Sequence, residues 1–268
     1  KFDYALGVSA GSANLISYVA HQRGRDFAFY YDYTFRKEYM SAGNLFRKHC
    51  YLDLDYVYST LTNEGGEYPL DYDTAMNSDC IFKALATDAV TGRPHFFDKN
   101  DLKRNDYYVM KASCAIPVIC GAYYVDGRYY FDGGIADPVP YRKAIQDGCD
   151  FIVAVLSRPR DYTDTSQPFL RFLRPFMKNY PAVMEEIATR LDRYNEEVAE
   201  IKEMEKKGKA LIIAPEEGYG VDTLTKNKTA FKNLYEEGYR DAAKIAELGI
   251  FSGTDRRQTE VIKKNKKI

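Results

Sequence analysis

Lys1 to Gly7 reads as a β-strand, and the pattern breaks at Gly7-Val8-Ser9-Ala10-Gly11, a tight turn that opens a helix running from about Ala10 through Ala20. Ala10, Gly11, Ser12 and Ala13 are small enough to let that helix pack closely on a sheet, which makes the opening α/β. Residues 26 to 62 mix aromatic and charged positions without a clean period and are expected to form short helices and loops that cover a site. Asp79 to Thr87 has strand character, and the turn chemistry of Thr91-Gly92-Arg93-Pro94 leads into a second short strand, His95 to Phe97, as a hairpin. Asp106 to Ile116 is helix-compatible and is stopped by Pro117. Two aromatic strands follow, Ala122 to Val125 and Arg128 to Phe131, joined by Asp126-Gly127, a strong hairpin signal.

Tyr141 to Asp147 is expected to be a helix ended by Gly148, and Phe151 to Leu156 a buried strand of the main sheet. From Pro181 to Lys207 apolar residues recur at steps of three and four: Val183, Ile187, Leu191, Tyr194, Val198, Ile201 and Met204. That spacing predicts a long helix with one face against the body. Ala210 to Ala214 returns as a strand, and a last helix is expected over Lys228 to Leu248. The lysine-rich tail at 263–267 reads as a frayed, solvated terminus.

Composition narrows the class. With 268 residues, 45% hydrophobic and 29% charged, the chain has enough apolar sequence for one main domain with a helical appendage. Thirty-eight basic residues balance 39 acidic ones, so no bulk field favours nucleic acid or an anionic membrane surface. The five cysteines are odd in number and lack C-x-x-C spacing, which argues against a zinc site or a disulfide framework and makes a reducing cytoplasm the expected setting. No apolar run reaches the roughly 18 residues of a membrane span. The 24 tyrosines and 15 phenylalanines, with no tryptophan, read chiefly as half-buried packing. The sequence starts directly on a strand without a methionine, and residues upstream of it are expected to be missing.

The chemistry-bearing candidate is Ser9. A serine between two glycines at a strand-to-helix junction sits on a sharp turn that lifts its hydroxyl above the sheet, while the following helix offers N–H groups and a positive dipole end to a developing oxyanion. The five-residue pattern alone arises by chance in roughly one chain of this length in ten, so its position carries the argument. A serine needs a base, and His21, His49 and His95 all lie before residue 100 in the wrong order for a Ser-acid-His triad; structural roles are expected for all three. Asp132, in Phe131-Asp132-Gly133-Gly134, is the better partner, because a carboxylate within hydrogen-bond reach in a partly dry site can take the proton. On local grounds alone, a turn-capping role for Asp132 has equal weight.

Gly7-Val8-Ser9-Ala10-Gly11-Ser12, then Ala112-Ser113-Cys114-Ala115-Ile116-Pro117, Tyr130-Phe131-Asp132-Gly133-Gly134 and Asp137-Pro138-Val139-Pro140, taken in order, resemble the bacterial patatin-like phospholipase family. The resemblance implies a three-layer α/β/α sandwich with a mostly parallel central sheet plus C-terminal helices, with 1–160 the catalytic region and 161–268 an extension packed on the same domain. It implies Ser9 as nucleophile, with Gly7, Ala10 and Gly11 forming its elbow and backbone, and Asp132 as base, positioned by Gly133 and Gly134. No metal or cofactor is needed, and a lipid or ester is the substrate. The expected location is cytoplasmic, with peripheral contact to the inner face of the membrane left open. The family also has an arginine-containing, glycine-rich oxyanion loop upstream of the nucleophile strand. That loop is absent from the sequence as it begins, and each missing donor is worth about 3 to 4 kcal/mol of transition-state stabilisation. A hydrolase of soluble short-chain esters or thioesters and a non-catalytic lipid-binding or scaffold protein stay open as alternatives. A nucleotide-binding domain is disfavoured, since the glycine turn lacks the lysine of a phosphate loop.

Overall fold

Five strands form the larger sheet of the computed structural model, which describes residues 1–163 and 173–248. They are β1 (Tyr4–Val8), β2 (Ile81–Asp88), β3 (Pro94–Asp98), β4 (Tyr123–Val125) and β5 (Arg128–Asp132). β1 runs parallel to β2, from Tyr4 beside Ile81 to Val8 beside Leu85. β3 and β5 run antiparallel to β2, and β4 antiparallel to β5.

A strand has two edges, and the pairings decide which neighbour takes which. Lys83, Ala84 and Leu85 pair with both β1 and β3, so those two flank β2 on opposite sides. Ala86 and Thr87 pair with both β3 and β5, so β5 also lies opposite β3. β1 and β5 therefore share one edge of β2, end to end. Because they run in opposite directions, their C-terminal ends meet: Val8 lies beside Leu85 and Asp132 beside Ala86.

Short turns impose much of this order. Asp126 and Gly127 take φ of 43° and 90°, the left-handed pair that a two-residue hairpin needs to match strand twist. Between β2 and β3, the Asp88 carboxylate accepts the N–H groups of Val90 and Thr91 at 3.0 and 2.8 Å. These tight links can join only antiparallel strands. The α/β class holds, but the expectation of a mostly parallel sheet is corrected: among the described strands, one pairing of the larger sheet is parallel and the others are antiparallel.

Helix α1 (Ala10–Val19) follows β1 directly; α2 (Arg25–Tyr31), α3 (Ala42–Lys48) and a π-helical turn over Tyr56–Leu61 fill the stretch without a clean period, and α4 (Tyr72–Asn77) comes after it. Next come α5 (Tyr108–Ser113), α6 (Tyr141–Gln146), β6 (Ile152–Val155), α7 (Pro181–Lys206) and β7 (Ala210–Ile213). The last expected helix is split into α8 (Lys228–Asp241) and α9 (Ala243–Glu247), which meet at Ala242. The tail at 263–267 lies outside the described residues.

The expectation for Phe151 to Leu156 is also corrected. β6 pairs in parallel with β7 in a separate two-stranded sheet, and Val155 is exposed. An apolar run signals burial without saying against what; here Ile152 and Ala154 are covered by Val198 and Ile201 of α7 together with Ala210 and Ile212. The first turns of α7 instead bury Val183 and Ile187 against Phe131 and Ile135. One long helix thus spans both apolar clusters, as its stripe predicts.

Between those clusters lies a pair of carboxyl groups. Glu197 of α7 is 2% exposed, and its Oε2 accepts the Val139 N–H at 2.9 Å. Burial, and then the charge of Asp137, push its pKa up to about 8, and burial raises Asp137 as well, against the opposing charges of Arg193 and Arg142. A carboxyl whose folded pKa lies above its unfolded value favours the fold at low pH and loses that contribution as pH rises through the folded value. The wild-type melting temperature is therefore expected to fall between about pH 5 and pH 8, and Glu197→Gln to flatten that fall. Parallel profiles for the two proteins would refute the assignment.

Candidate active site

Ser9 joins β1 to α1 at φ 53° and ψ −128°, a backbone region that a residue with a Cβ rarely takes and that costs about 1–3 kcal/mol. Two hydrogen bonds hold it there. Its carbonyl accepts the Ser12 N–H at 2.9 Å, and its own N–H donates to Ser113 Oγ at 3.1 Å. Ser113 ends α5 and is fully buried; its hydroxyl donates to the Leu85 carbonyl at 2.6 Å and lies 2.8 Å from Ser12 Oγ. A hydroxyl has one proton, so with Ser113 committed to Leu85, Ser12 is the donor between the two serines. One side chain thereby ties together the Ser9 turn, α1, α5 and the central strand.

A Cβ on Gly7 would sit 2.4 Å from Ser12 Cα, so the close approach of α1 to β1 requires glycine there. Gly11 is different: a Cβ there would meet nothing within 4 Å. That open space lies at the first turn of α1, where the N–H groups of Ala10 and Gly11 have no carbonyl one helical turn back to bond. An oxyanion forming at Ser9 would have these donors beside it.

Asp132 is 8% exposed at the end of β5. Its N–H donates to Ala115 O at 2.9 Å, its carbonyl accepts Thr87 Oγ1 at 2.8 Å, and its carboxylate accepts the Gly134 N–H at 2.8 Å. Thr87 Oγ1 also accepts the Ala136 N–H at 3.1 Å, which pins the turn after the carboxylate to β2. A Cβ on Gly133 would lie 2.2 Å from the Leu85 carbonyl, and one on Gly134 3.2 Å from the Asp132 carboxylate. Burial raises the Asp132 pKa above 3.8, while the Ser9 hydroxyl, the Gly134 N–H and the charge of Arg190 pull it back. The meeting of the two strand ends has brought the Ser9 and Asp132 side chains face to face.

Cys114 is their near neighbour. Its Sγ lies 3.2 Å from the Tyr58 hydroxyl, and burial, reinforced by the charge of Asp132, pushes its pKa up to about 12. A thiol so held stays protonated and is no rival nucleophile. Among the described residues no histidine hydrogen-bonds to Ser9 or Asp132: His21 and His49 take left-handed backbone just past α1 and α3, and His95 packs against the rings of Phe97 and Tyr130. The aromatic segments serve packing. Phe27 meets Tyr31 and Tyr235, Phe29 meets Tyr33 and Tyr68, and Phe131 meets Tyr180.

Sequence reasoning missed Ser113 and Thr87, because a buried, hydrogen-bonded hydroxyl looks no different in sequence from an exposed one. It also missed Arg190 and Arg193. Their signal was their position beside Ile187 and Tyr194 on the buried side of α7.

The profile of a family described as patatin-like phospholipase matches residues 1–145, just over half of the chain, and the chain belongs to that family. Residues 180–248 match a domain of unknown function, DUF6363. The chain is 31% identical over 180 residues to the uncharacterised protein YjjU of Escherichia coli (strain K12), covering 65% of this chain and 48% of that protein. It is 35% identical over 74 residues to uncharacterised NTE family proteins of Mycobacterium tuberculosis (strain ATCC 25618 / H37Rv) and Mycobacterium bovis, covering 28% of this chain and 19% of each of them. The chain thus spans about half the length, or less, of these relatives.

Ser113→Ala would leave the Leu85 carbonyl and the Ser9 N–H without their partner in a buried junction. The expected outcome is a loss of about 2–3 kcal/mol in unfolding free energy, measured by urea titration. A loss below about 0.5 kcal/mol would mean that the junction does not depend on this hydroxyl.

Proposed function

We propose that the chain is a serine acyl hydrolase acting on lipid esters, with Ser9 as nucleophile and Asp132 as its base. The observation that carries this reading is the strained serine turn facing a buried carboxylate whose pKa is raised. Strain exposes the hydroxyl, and a dry carboxylate is a stronger base than one in water. The family description supports a lipid hydrolase as the general class.

Asp132 takes the proton of Ser9 as its Oγ bonds to the ester carbonyl carbon, and the electron pair of the C=O moves onto oxygen. The first-turn N–H groups of α1 face that charge. Collapse re-forms the carbonyl and breaks the bond to the leaving alcohol, whose oxygen receives the proton from Asp132. Water then adds to the acyl-Ser9 ester, giving its proton to Asp132, and the second collapse breaks the acyl–Oγ bond as that proton returns to Ser9. No helix among the described residues is long and apolar enough to cross a membrane.

Intact-mass labelling of the full chain with a fluorophosphonate tests the reading. One adduct is expected on wild type, none on Ser9→Ala, and labelling slowed by about 10²-fold or more on Asp132→Asn. No adduct on folded wild type would sink the proposal. The labelling rate should also fall with decreasing pH along a limb that lies above 3.8, because a carboxyl with a raised pKa loses its charge, and with it its basicity, earlier as pH drops. A limb at or below that value would contradict Asp132 as the base.

A further inference from the structure

The turn that carries Asp132 is short of its own hydrogen bonds. Gly133 O is satisfied within it, accepting the N–H groups of Ala136 and Asp137, but the carbonyls of Gly134, Ile135 and Ala136 point away. All three are met by α7, some 55 residues downstream. Arg190 Nε donates to Gly134 O at 2.6 Å, and Arg193 Nη1 donates to Ile135 O at 3.0 Å and Ala136 O at 2.8 Å. Four residues further along α7, Glu197 accepts the next free donor of the same segment, the Val139 N–H.

Val183, Ile187, Arg190, Arg193 and Glu197 follow at steps of three and four, so they share one side of the helix. The two apolar residues press on Phe131 and Ile135, on either side of Asp132, and the three polar ones grip the backbone from Gly134 to Val139. Arg193 is itself braced by Glu186 and by Thr189 Oγ1 at 3.1 Å. Extended apolar packing alone would hold the turn near the helix. A guanidinium bonded to a named carbonyl also sets its register, because the donors lie in a fixed fork.

We infer that Arg190 and Arg193 are positioning residues for the base, so that the DUF6363-matched region serves the acyl-transfer site by holding the Asp132 turn opposite Ser9. This rests on the reading of Ser9 and Asp132 given above. Neither arginine touches substrate in this scheme; each acts through the turn. Arg190 has a second consequence. Among the described residues, the side chains that act on the Asp132 carboxyl are Ser9 of the elbow, Cys114 and Cys120 after α5, and Arg190 of α7, and of these Arg190 alone carries a positive charge. Its positive charge favours the ionised base.

The test is the rate of fluorophosphonate labelling of Ser9 against pH, with thermal unfolding recorded in parallel, on the full chain. Arg190→Gln is expected to slow labelling at least about tenfold near neutral pH and to move the acid limb upward, because the charge is gone. Arg190→Lys keeps the charge and loses the fork, so its limb should stay near wild type while its rate falls, and it provides the readout if Arg190→Gln does not fold. Arg193→Lys should slow labelling without moving the limb. Lys202→Gln, which removes the α7 partner of an exposed ion pair to Asp161 in the turn after β6, should change neither. A wild type labelled at Ser9, with Arg190→Gln or Arg190→Lys indistinguishable from it in rate and limb, would overturn the positioning role and leave the dyad standing. A folded wild type without any Ser9 adduct would overturn the dyad and this inference with it. A limb shift equal in Arg190→Gln and Arg190→Lys would overturn the part given to the Arg190 charge, since lysine keeps that charge and the shift would then follow the lost fork.

Discussion

The structure depends on a single shared edge. β1 and β5 both pair with the same side of β2 and run toward each other, so that their C-terminal ends abut between Leu85 and Ala86. Residues 9 and 132 are far apart in sequence, and no local rule connects them. Once both strands have found their partners on β2, the two side chains can scarcely avoid each other. Register matters as much as pairing, because a slip of one residue along either strand would turn its side chains to the opposite face.

Several tight contacts guard that register. Gly7 lets α1 approach within a distance no Cβ would allow, Gly133 does the same against the Leu85 carbonyl, and Ser113 reaches from α5 to the Ser9 turn and to β2 at once. Each is short-range and intolerant of substitution. Together they hold two features that are individually unfavourable, a serine in a strained backbone conformation and an aspartate largely removed from water. Neither survives without a surrounding structure that over-determines it. That is the usual condition of a group held ready for chemistry rather than for stability.

α7 contributes at a different level. Its apolar stripe spans two clusters, one under β6 and β7 and one beside β5, while Arg190, Arg193 and Glu197 supply partners to a backbone segment too short to satisfy itself. Buried backbone carbonyls without partners are costly, so a turn of this kind is stable only where another element meets it. The helix therefore does more than add buried area to the domain. Its charged residues on the buried side, which a periodicity argument treats as interruptions, are the ones that reach the Asp132 turn.

Local chemistry made most elements legible in the sequence: the Gly-Val-Ser-Ala-Gly turn between strand and helix, the Asp126-Gly127 hairpin with its two positive φ angles, and the stripe of α7 all depend on residues close together in the chain. The candidate pair was legible through motifs in order, with local reasoning on Asp132 evenly divided between base and turn cap; in the structure its carboxylate caps the turn, accepting from Gly134, and at the same time faces Ser9. What the sequence withheld is whatever depends on a partner distant in the chain. An apolar run such as Phe151 to Leu156 announces burial but not its sheet, Ser113 carries no mark of its three contacts, and Gly11 looks as indispensable as Gly7 although only Gly7 is crowded. Propensity and periodicity are properties of neighbours along the chain, whereas edge sharing, crowding and the satisfaction of buried carbonyls are properties of neighbours in space, and those the tertiary structure alone decided.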